Sequence, residues 1–164
     1  MDEIRDTREH LIKVLKGFDT AMLVTHSQDV DIHARPMHIA ELKDDGHILL
    51  VTRNDTSKVD EILADGAAAL TFQSERKFAA LNGWAQVDRD PAQIDRLWNA
   101  AWKVWFPQGK SDPELCLIRF ETDNGEYWDN AGGHGIKYML RAVSAYAKRS
   151  TPHTDAEQHA KVTL

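Results

Sequence analysis

Three short apolar runs follow one another between residues 20 and 53, and only tight turns separate them. They are AMLVTH from Ala21, IHARPMHIAEL from Ile32 and HILLVTR from His47, and the separators are SQDVD and KDDG. Short connections rich in Asp, Gly and Ser are typical of antiparallel hairpins, whereas parallel strands need a crossover of about a dozen residues or more. The segment therefore favours three consecutive antiparallel strands over a doubly wound parallel sheet.

Helical periodicity flanks these strands on both sides. Between Asp2 and Phe18, apolar residues spaced three and four apart predict an amphipathic helix, which ends at Gly17. A second, shorter helix begins at Thr56 or Ser57, either of which can cap it, and runs through Leu63. Two further strands follow, AAALTFQ and KFAALNGWAQV, joined by SER.

A third helix is predicted where Asp90 can act as the cap and Pro91 can occupy the first helical position. Three of the five tryptophans, Trp98, Trp102 and Trp105, follow at helical spacing. Their shared face predicts contacts in the core or in a dimer.

The sequence pattern of the C-terminal part of the chain predicts one more hairpin and a last helix. LCLIRFET and EYWD flank the turn signal Asp123-Asn124-Gly125, and the helix spans about Ile136 to Lys148. We expect one domain over residues 1–149 and a loosely ordered tail over residues 150–164. Six or seven short strands with helices between them predict a mainly β protein with flanking α-helices, built as a closed or partly closed antiparallel barrel.

Charge and cysteine content restrict the partners and the compartment. Twenty basic and 26 acidic side chains give a net charge of −6, which disfavours nucleic acid and anionic membrane surfaces. The mean hydropathy of −0.49 excludes a membrane-embedded protein. Cys116 is alone and lies in an apolar run, so we expect a buried side chain without a disulfide. The first residues lack a signal-peptide core, and we expect a cytoplasmic protein.

The strand HARPMHI contains two residues that do not suit a central strand. Arg35 introduces a charge into an apolar neighbourhood, and Pro36 lacks the N–H that a neighbouring strand needs. The pattern predicts an irregular strand that faces something other than another strand. A surface Arg on an edge strand is the alternative.

The segment VTRNDTSK, from Val51 to Lys58, runs from a strand end into a helix start. It combines hydroxyl groups, the cations of Arg53 and Lys58 and the N–H groups of a first helical turn, which are the groups that bind a phosphate monoester. In the alternative, a hydroxyl caps the helix and both cations face solvent.

These two segments, in this order, resemble the pyridoxamine 5'-phosphate oxidase-like flavoproteins with their FMN-binding split barrel, in particular the general stress protein 26 branch. The resemblance covers about Glu9 to Asp129 and includes NGWAQVDRD from Asn82, WFPQGKSDPEL from Trp105 and the late EYWD. It implies a six- to seven-stranded antiparallel split barrel. It further implies a homodimer that binds FMN, with FAD as an alternative, at the subunit interface.

The resemblance also implies the residues that meet the flavin. Arg35 falls beside the ring, where a cation would stabilise the negative charge of the reduced form, and Ser57 and Lys58 fall at the phosphate. Five further residues would line the flavin: Ala34, Pro36, Met37, Val51 and Thr52. Trp105, at a helix end, is a candidate to cover the flavin of the partner chain.

The implied activity is that of a flavin-dependent oxidoreductase with a reduced nicotinamide or a similar small electron donor. Ala40 stands where the authentic oxidases have a lysine, and their substrate-binding Arg and His segment is not found, so flavin binding is better supported than pyridoxamine phosphate oxidation. No catalytic residue is assigned, although His33 and His38 are acid–base candidates. The alternatives are a flavin-binding stress protein without turnover and a barrel that binds another phosphate or carboxylate.

Two other motifs are weaker. AGGHG at Ala131 to Gly135 lacks the spacing of a dinucleotide-binding loop, so a flexible connection is favoured over a phosphate loop. His33 and His38 fall on opposite faces of a strand, and the sequence has no paired cysteines, so no metal site is expected.

Overall fold

The computed structural model, which describes residues 2–130 and 159–164, contains the three consecutive antiparallel strands that the sequence predicts. Helix α1 (Asp2–Leu15) precedes β1 (Thr20–His26), β2 (Ile32–Leu42) and β3 (Ile48–Arg53). The KDDG turn joins β2 to β3, and Gly46 there has φ of 87°, which glycine adopts without steric cost.

The strands close into a barrel. The remaining elements are α2 (Ser57–Ala64), β4 (Ala67–Gln73), β5 (Lys77–Asp88), α3 (Pro91–Leu97), β6 (Leu115–Asp129) and β7 (His159–Thr163). The strand order is β3-β2-β1-β4-β5-β6-β7, and β3 also pairs with β6, so six antiparallel strands form a closed ring. The predicted antiparallel split barrel of six to seven strands with flanking helices is confirmed.

The predicted hairpin around Asp123-Asn124-Gly125 is wrong, because β6 runs through it without turning. The first half of β6 pairs with β3 and the second half with β7, while both halves pair with β5. A bulge opposite Asn82 and Gly83 absorbs the irregularity. A Cβ on Gly83 would lie 2.0 Å from the carbonyl oxygen of Glu121, so this close approach of two backbones requires glycine.

The prediction that the helix after Asp90 continues through Trp98, Trp102 and Trp105 is also wrong beyond its first two turns. Its start is confirmed, since the Asp90 side chain accepts a hydrogen bond from the Ala92 N–H at 3.0 Å. The helix ends at Leu97, and Asn99 caps a separate 3₁₀ helix, Ala100–Val104, by accepting from the Ala101 N–H at 2.9 Å. The Asn99 side chain binds a backbone N–H that a continuous α-helix would otherwise bond to a carbonyl oxygen, so this cap favours a new helix over continuation of α3.

The core has two parts. The main cluster fills the barrel and packs against α1, with Leu11, Leu23, Leu50, Leu81 and Phe120 fully buried. A smaller cluster lies outside the barrel, where α3 and the 3₁₀ helix cover β3 and the start of β6. It consists of Val51, Ile94, Trp102, Phe106, Leu115 and Leu117. Because both faces of β3 are covered, its sequence is continuously apolar from Ile48 to Val51.

The C-terminal predictions divide into two groups. The helix over Ile136 to Lys148 and the AGGHG segment lie outside the described residues. The prediction of a loosely ordered tail is wrong for its last residues, because His159–Thr163 form β7 and pair with Asn124–Trp128 of β6. In the part of the chain that the structure describes, no helix is long and apolar enough to cross a membrane.

Candidate functional site

A cleft opens where β2 and β3 separate. Their pairing runs from Leu42 and Ile48 to His38 and Val51, and within the described residues the preceding part of β2 pairs only with β1. Pro36 lies in this part, opposite Met22 of β1. The missing N–H of proline therefore costs no ladder hydrogen bond on the cleft side. The prediction that this strand faces something other than another strand is confirmed.

The cleft contains a cavity of about 370 Å³. Seven of the nine predicted flavin-site residues line it: Arg35, Pro36, Met37, Val51, Thr52, Lys58 and Trp105. Ala34 and Ser57 do not line it, and both are exposed. His38, which the sequence suggested only as an acid–base candidate, and Thr56, one hydroxyl of the VTRNDTSK segment, complete the wall together with Arg53 and Phe106.

Lys58 carries the positive charge that is least compensated in this cavity. Its Nζ donates to Thr56 Oγ1 at 3.0 Å, and no carboxylate of residues 2–130 or 159–164 forms a salt bridge with it. Burial, and then the nearby charge of Arg35, lower the pKa of Lys58. A half-buried ammonium group without a counter-ion is suited to binding an anion.

Thr56 does not cap α2 as predicted. It occupies the capping position, but its side chain makes no capping hydrogen bond, and its hydroxyl donates to the Arg53 carbonyl oxygen at 2.9 Å. The Thr56 hydroxyl oxygen in turn accepts from Lys58 Nζ. The hydroxyl thus holds the lysine, and the positive end of α2 lies beside the ammonium group.

Arg35 lines the cavity, but its charge is paired. Its Nη2 donates to Glu61 Oε2 at 3.0 Å, and its Nη1 donates to the Thr25 hydroxyl. The Thr25 hydroxyl also donates to Glu61, and His33 Nδ1 lies 2.6 Å from Glu61 Oε1. Burial would raise the pKa of Glu61, but the hydrogen bonds from Thr25, His33 and Arg35 outweigh it and lower the pKa.

Glu61 is the main residue that sequence reasoning missed. Its side chain is 9% exposed, yet from the sequence it was only an acidic residue near the positive end of a helix. A usable signal existed, since Glu61 follows Lys58 by three residues, which places both on one face of α2.

The open side of the cavity is bordered by Trp105. Its side chain is 54% exposed, and its carbonyl oxygen accepts from Arg53 Nη1 at 3.4 Å. Arg53 is itself paired with Asp55 through two bonds of 2.9 Å. Trp105 thus lies at the cavity of its own chain, and its predicted role over a partner's flavin stays a prediction.

A second cleft is larger but has a different character. About 780 Å³ lies between α1 and the β2–β3 turn, and charged residues form most of its wall. Lys16 pairs there with Asp44 at 2.7 Å, and Arg8 donates to the Asp45 carbonyl oxygen at 3.1 Å. The smaller cavity is the better candidate, because its uncompensated cation, Lys58, is half-buried, whereas Lys13 of the larger cleft is exposed.

Cys116 is fully buried on β6, as predicted, and burial raises the pKa of its thiol to about 11. The thiol therefore stays protonated and behaves as a small apolar side chain.

Comparison with known proteins agrees with this fold. The family model described as "Pyridoxamine 5'-phosphate oxidase like" matches residues 6–153. The general stress FMN/FAD binding protein of Xanthomonas citri is 33% identical, with a TM-score of 0.67, over 79% of this chain and 92% of that chain. A general stress protein 26 candidate from Jannaschia sp. CCS1 is 25% identical, with a TM-score of 0.73, over 98% and 99%. Among curated proteins none matches the sequence.

A more distant structure shows the same fold. The general stress protein 26 of Bacillus anthracis str. Sterne is 20% identical, with a TM-score of 0.65, over 73% of this chain and 92% of that chain. The family model spans most of the chain, and the predicted resemblance to general stress proteins is confirmed. The chain belongs to the pyridoxamine 5'-phosphate oxidase-like family.

Proposed function

We propose that the protein binds a flavin nucleotide, FMN with FAD as the alternative, in the cleft that opens where β2 and β3 separate, and that it acts as a flavin-dependent oxidoreductase. One observation carries the proposal: a half-buried, uncompensated Lys58 stands at a cavity that is bordered by the unpaired part of β2. An anionic group and a flat ring with hydrogen-bonding edges are the two parts of a flavin nucleotide.

The phosphate end is supported by the start of α2. Lys58 supplies a charge, Thr56 orients it, and the first helical turn adds partial positive charge. Ser57 does not line the cavity, but it is exposed at the first position of α2 between Thr56 and Lys58, and the resemblance implies its hydroxyl as a second phosphate contact.

The ring end is supported by the separation of β2 from β3. Backbone groups of β2 near Arg35 and Pro36 are free to meet the polar edge of a ring, because β3 does not pair with them. Met37 and Val51 supply apolar contacts. The cavity of about 370 Å³ falls within the range of small-ligand sites, which is roughly 300–1,000 Å³.

The proposed chemistry is redox chemistry. A bound flavin supplies the capacity to accept a hydride from a reduced nicotinamide or a similar donor and to pass the electrons on. This chain binds and orients it. His38, exposed at the cavity wall, offers a proton donor or acceptor on the open side.

The proposed partner is a second copy of the chain. Cross-strand pairs put Met22, Pro36, Ala69 and Trp84 on the outer face of the barrel, and Met22 and Trp84 are exposed. Because Pro36 also lines the cavity, this face is continuous with the open side of the cleft. An apolar sheet face of this kind is typical of a protein interface, and a second copy on it would cover the flavin.

Flavin retention tests the proposal. Purified protein mixed with FMN should quench the flavin fluorescence and co-elute with the cofactor. Lys58→Ala should weaken FMN binding roughly 10- to 100-fold, the worth of a hydrogen bond to a charged group. Riboflavin, which lacks the phosphate, should be much less affected.

Lys13→Ala is the matched control, since Lys13 is exposed on α1 and does not line the cavity. Equal weakening of FMN and riboflavin by Lys58→Ala contradicts the phosphate assignment. If the wild type retains no flavin, the barrel binds another phosphate or carboxylate.

Anaerobic reduction separates an enzyme from a flavin carrier. NADH or NADPH should bleach the bound flavin faster than free flavin. Bleaching at the rate of free flavin supports the carrier without turnover.

The dimer is tested by Ala69→Arg. This change places a charge on the apolar outer face and should produce a monomer in light scattering, with weaker FMN binding. Ala92→Arg, exposed on α3, is the matched control and should remain dimeric. A wild-type monomer that binds FMN tightly contradicts the shared interface.

A further inference from the structure

Glu61 is buried behind the cavity rather than in its wall. Its carboxylate accepts from Arg35 at 3.0 Å and from Thr25, and it lies 2.6 Å from His33 Nδ1. Arg35, by contrast, does line the cavity. Glu61 therefore meets the cavity only through Arg35.

The barrel brings these groups together by strand register. Thr25 is the cross-strand partner of His33, and Arg35 lies two residues further along β2. All three side chains therefore project from one face of the β1–β2 ribbon. Helix α2 packs over this face and supplies the carboxylate that they share.

The same helix carries the uncompensated cation. Lys58 precedes Glu61 by three residues, so one rigid element holds both the free ammonium group and the carboxylate that pairs with Arg35. The charge of Arg35 lowers the pKa of Lys58 and that of Glu61 raises it. Glu61 is thus the counter-ion of Arg35 but not of Lys58, which leaves Lys58 as the free cation.

We infer that Glu61 is a positioning residue of the cleft: it fixes the Arg35 guanidinium at the cavity wall and makes it part of an ion pair rather than a free cation. The inference rests on the proposed flavin site. It gives the two ends of that site different net charges. Beside the ring, the charge of Arg35 is neutralised by Glu61; beside the phosphate, Lys58 keeps its full charge.

This arrangement has a redox consequence. Reduction places negative charge on the flavin ring, and a free cation nearby would favour the reduced form. A guanidinium held by Glu61 favours it less, because its Nη1 and Nη2 donate to Thr25 and Glu61 and are therefore not free to turn toward the ring. Loss of the Glu61 charge should therefore raise the midpoint potential of bound flavin.

The midpoint potential tests the inference. Glu61→Gln should increase the affinity for reduced relative to oxidised flavin about tenfold, which for two electrons is about 30 mV. In an Arg35→Gln background the same change should have less than about half of this effect, because only the direct field of the carboxylate is lost and no guanidinium remains that could be released toward the ring. Glu41→Gln, which breaks a surface pair with Arg96, should leave the potential unchanged.

A merely structural Glu61 would weaken both redox states equally and leave the potential at the wild-type value, and this result overturns the inference. An equal shift with and without Arg35 also overturns it. Failure of the wild type to bind flavin is a different result, because it removes the proposed function itself.

A second measurement needs neither flavin nor a variant of Glu61. In nitrogen-15 spectra of the unloaded wild type, the Arg35 guanidinium should show slow hydrogen exchange and hindered rotation, with the signal assigned by its loss in Arg35→Lys. A guanidinium that rotates freely and exchanges rapidly contradicts positioning by Glu61.

Discussion

Lys58 and Arg35 line the same cavity, but their surroundings differ. Arg35 donates to Glu61 and Thr25, whereas Lys58 donates only to the neutral hydroxyl of Thr56 among the contacts that the structure records for the described residues. A third cation, Arg53, is paired with Asp55 in solvent. The three basic residues thus divide into a buried pair, a surface pair and a free charge. A local excess of basic residues does not by itself show which charge is available to a ligand.

The buried pair should contribute most to stability. Glu61→Gln should lower the free energy of unfolding by about 3 kcal/mol, because it leaves the largely buried Arg35 without a counter-charge. Glu41→Gln is the matched control at the surface and should cost less than about 1 kcal/mol. Urea denaturation measures both values. Equal losses would mean that burial does not distinguish the two pairs.

The same pair should respond to acid. Because hydrogen bonds to Glu61 outweigh its burial and lower its pKa below 4.5, its stabilising contribution is complete above 4.5 and is lost as pH falls through the lowered pKa. The stability difference between wild type and Glu61→Gln should therefore narrow from about pH 6 to about pH 3. Denaturant titrations at each pH measure it, and a widening difference would contradict the sign.

The hydroxyl that holds Lys58 should have a smaller effect. Thr56→Val should weaken FMN binding about fivefold, since one neutral hydrogen bond contributes about 1 kcal/mol. Riboflavin binding should change little. Thr163→Val, on the exposed side of β7, is the control. Fluorescence titration measures both ligands, and an unchanged FMN affinity would show that Thr56 does not orient the lysine.

The smallest effect is expected for the stability of a Lys58 variant. Lys58→Ala should change the free energy of unfolding by no more than about 0.5 kcal/mol, because the folded state holds this cation without a counter-ion. Urea denaturation alongside Glu61→Gln completes the comparison. A loss comparable to that of Glu61→Gln would assign Lys58 a structural role.

Local signals predicted much of the fold. The KDDG turn, the Asp90-Pro91 helix start and the odd Pro36 each depend on the backbone preferences of one or two residues, and the structure bears out all three. Local signals failed where a competing partner lay elsewhere in the chain. Asn124-Gly125 did not form a turn because β5, β7 and β3 together pair along the whole of β6.

The candidate site shows the same division. Seven of the nine predicted residues meet at one cavity, because β2, β3 and the start of α2 are near neighbours in sequence and in space. Thr25 and Glu61 were missed, since their roles depend on strand register and on the packing of α2. Thr25 leaves no mark in a composition or a motif, and Glu61 leaves only its spacing of three residues from Lys58.

The sequence by itself determined where most strands and helices begin, which strand leaves part of one edge unpaired and which segments carry the basic residues, because these properties reside in local backbone geometry and side-chain type. Only the tertiary structure decided which of those cations is free. Charge compensation depends on distance and burial, and the contacts that set both join Thr25 of β1 and Arg35 of β2 to Glu61 of α2.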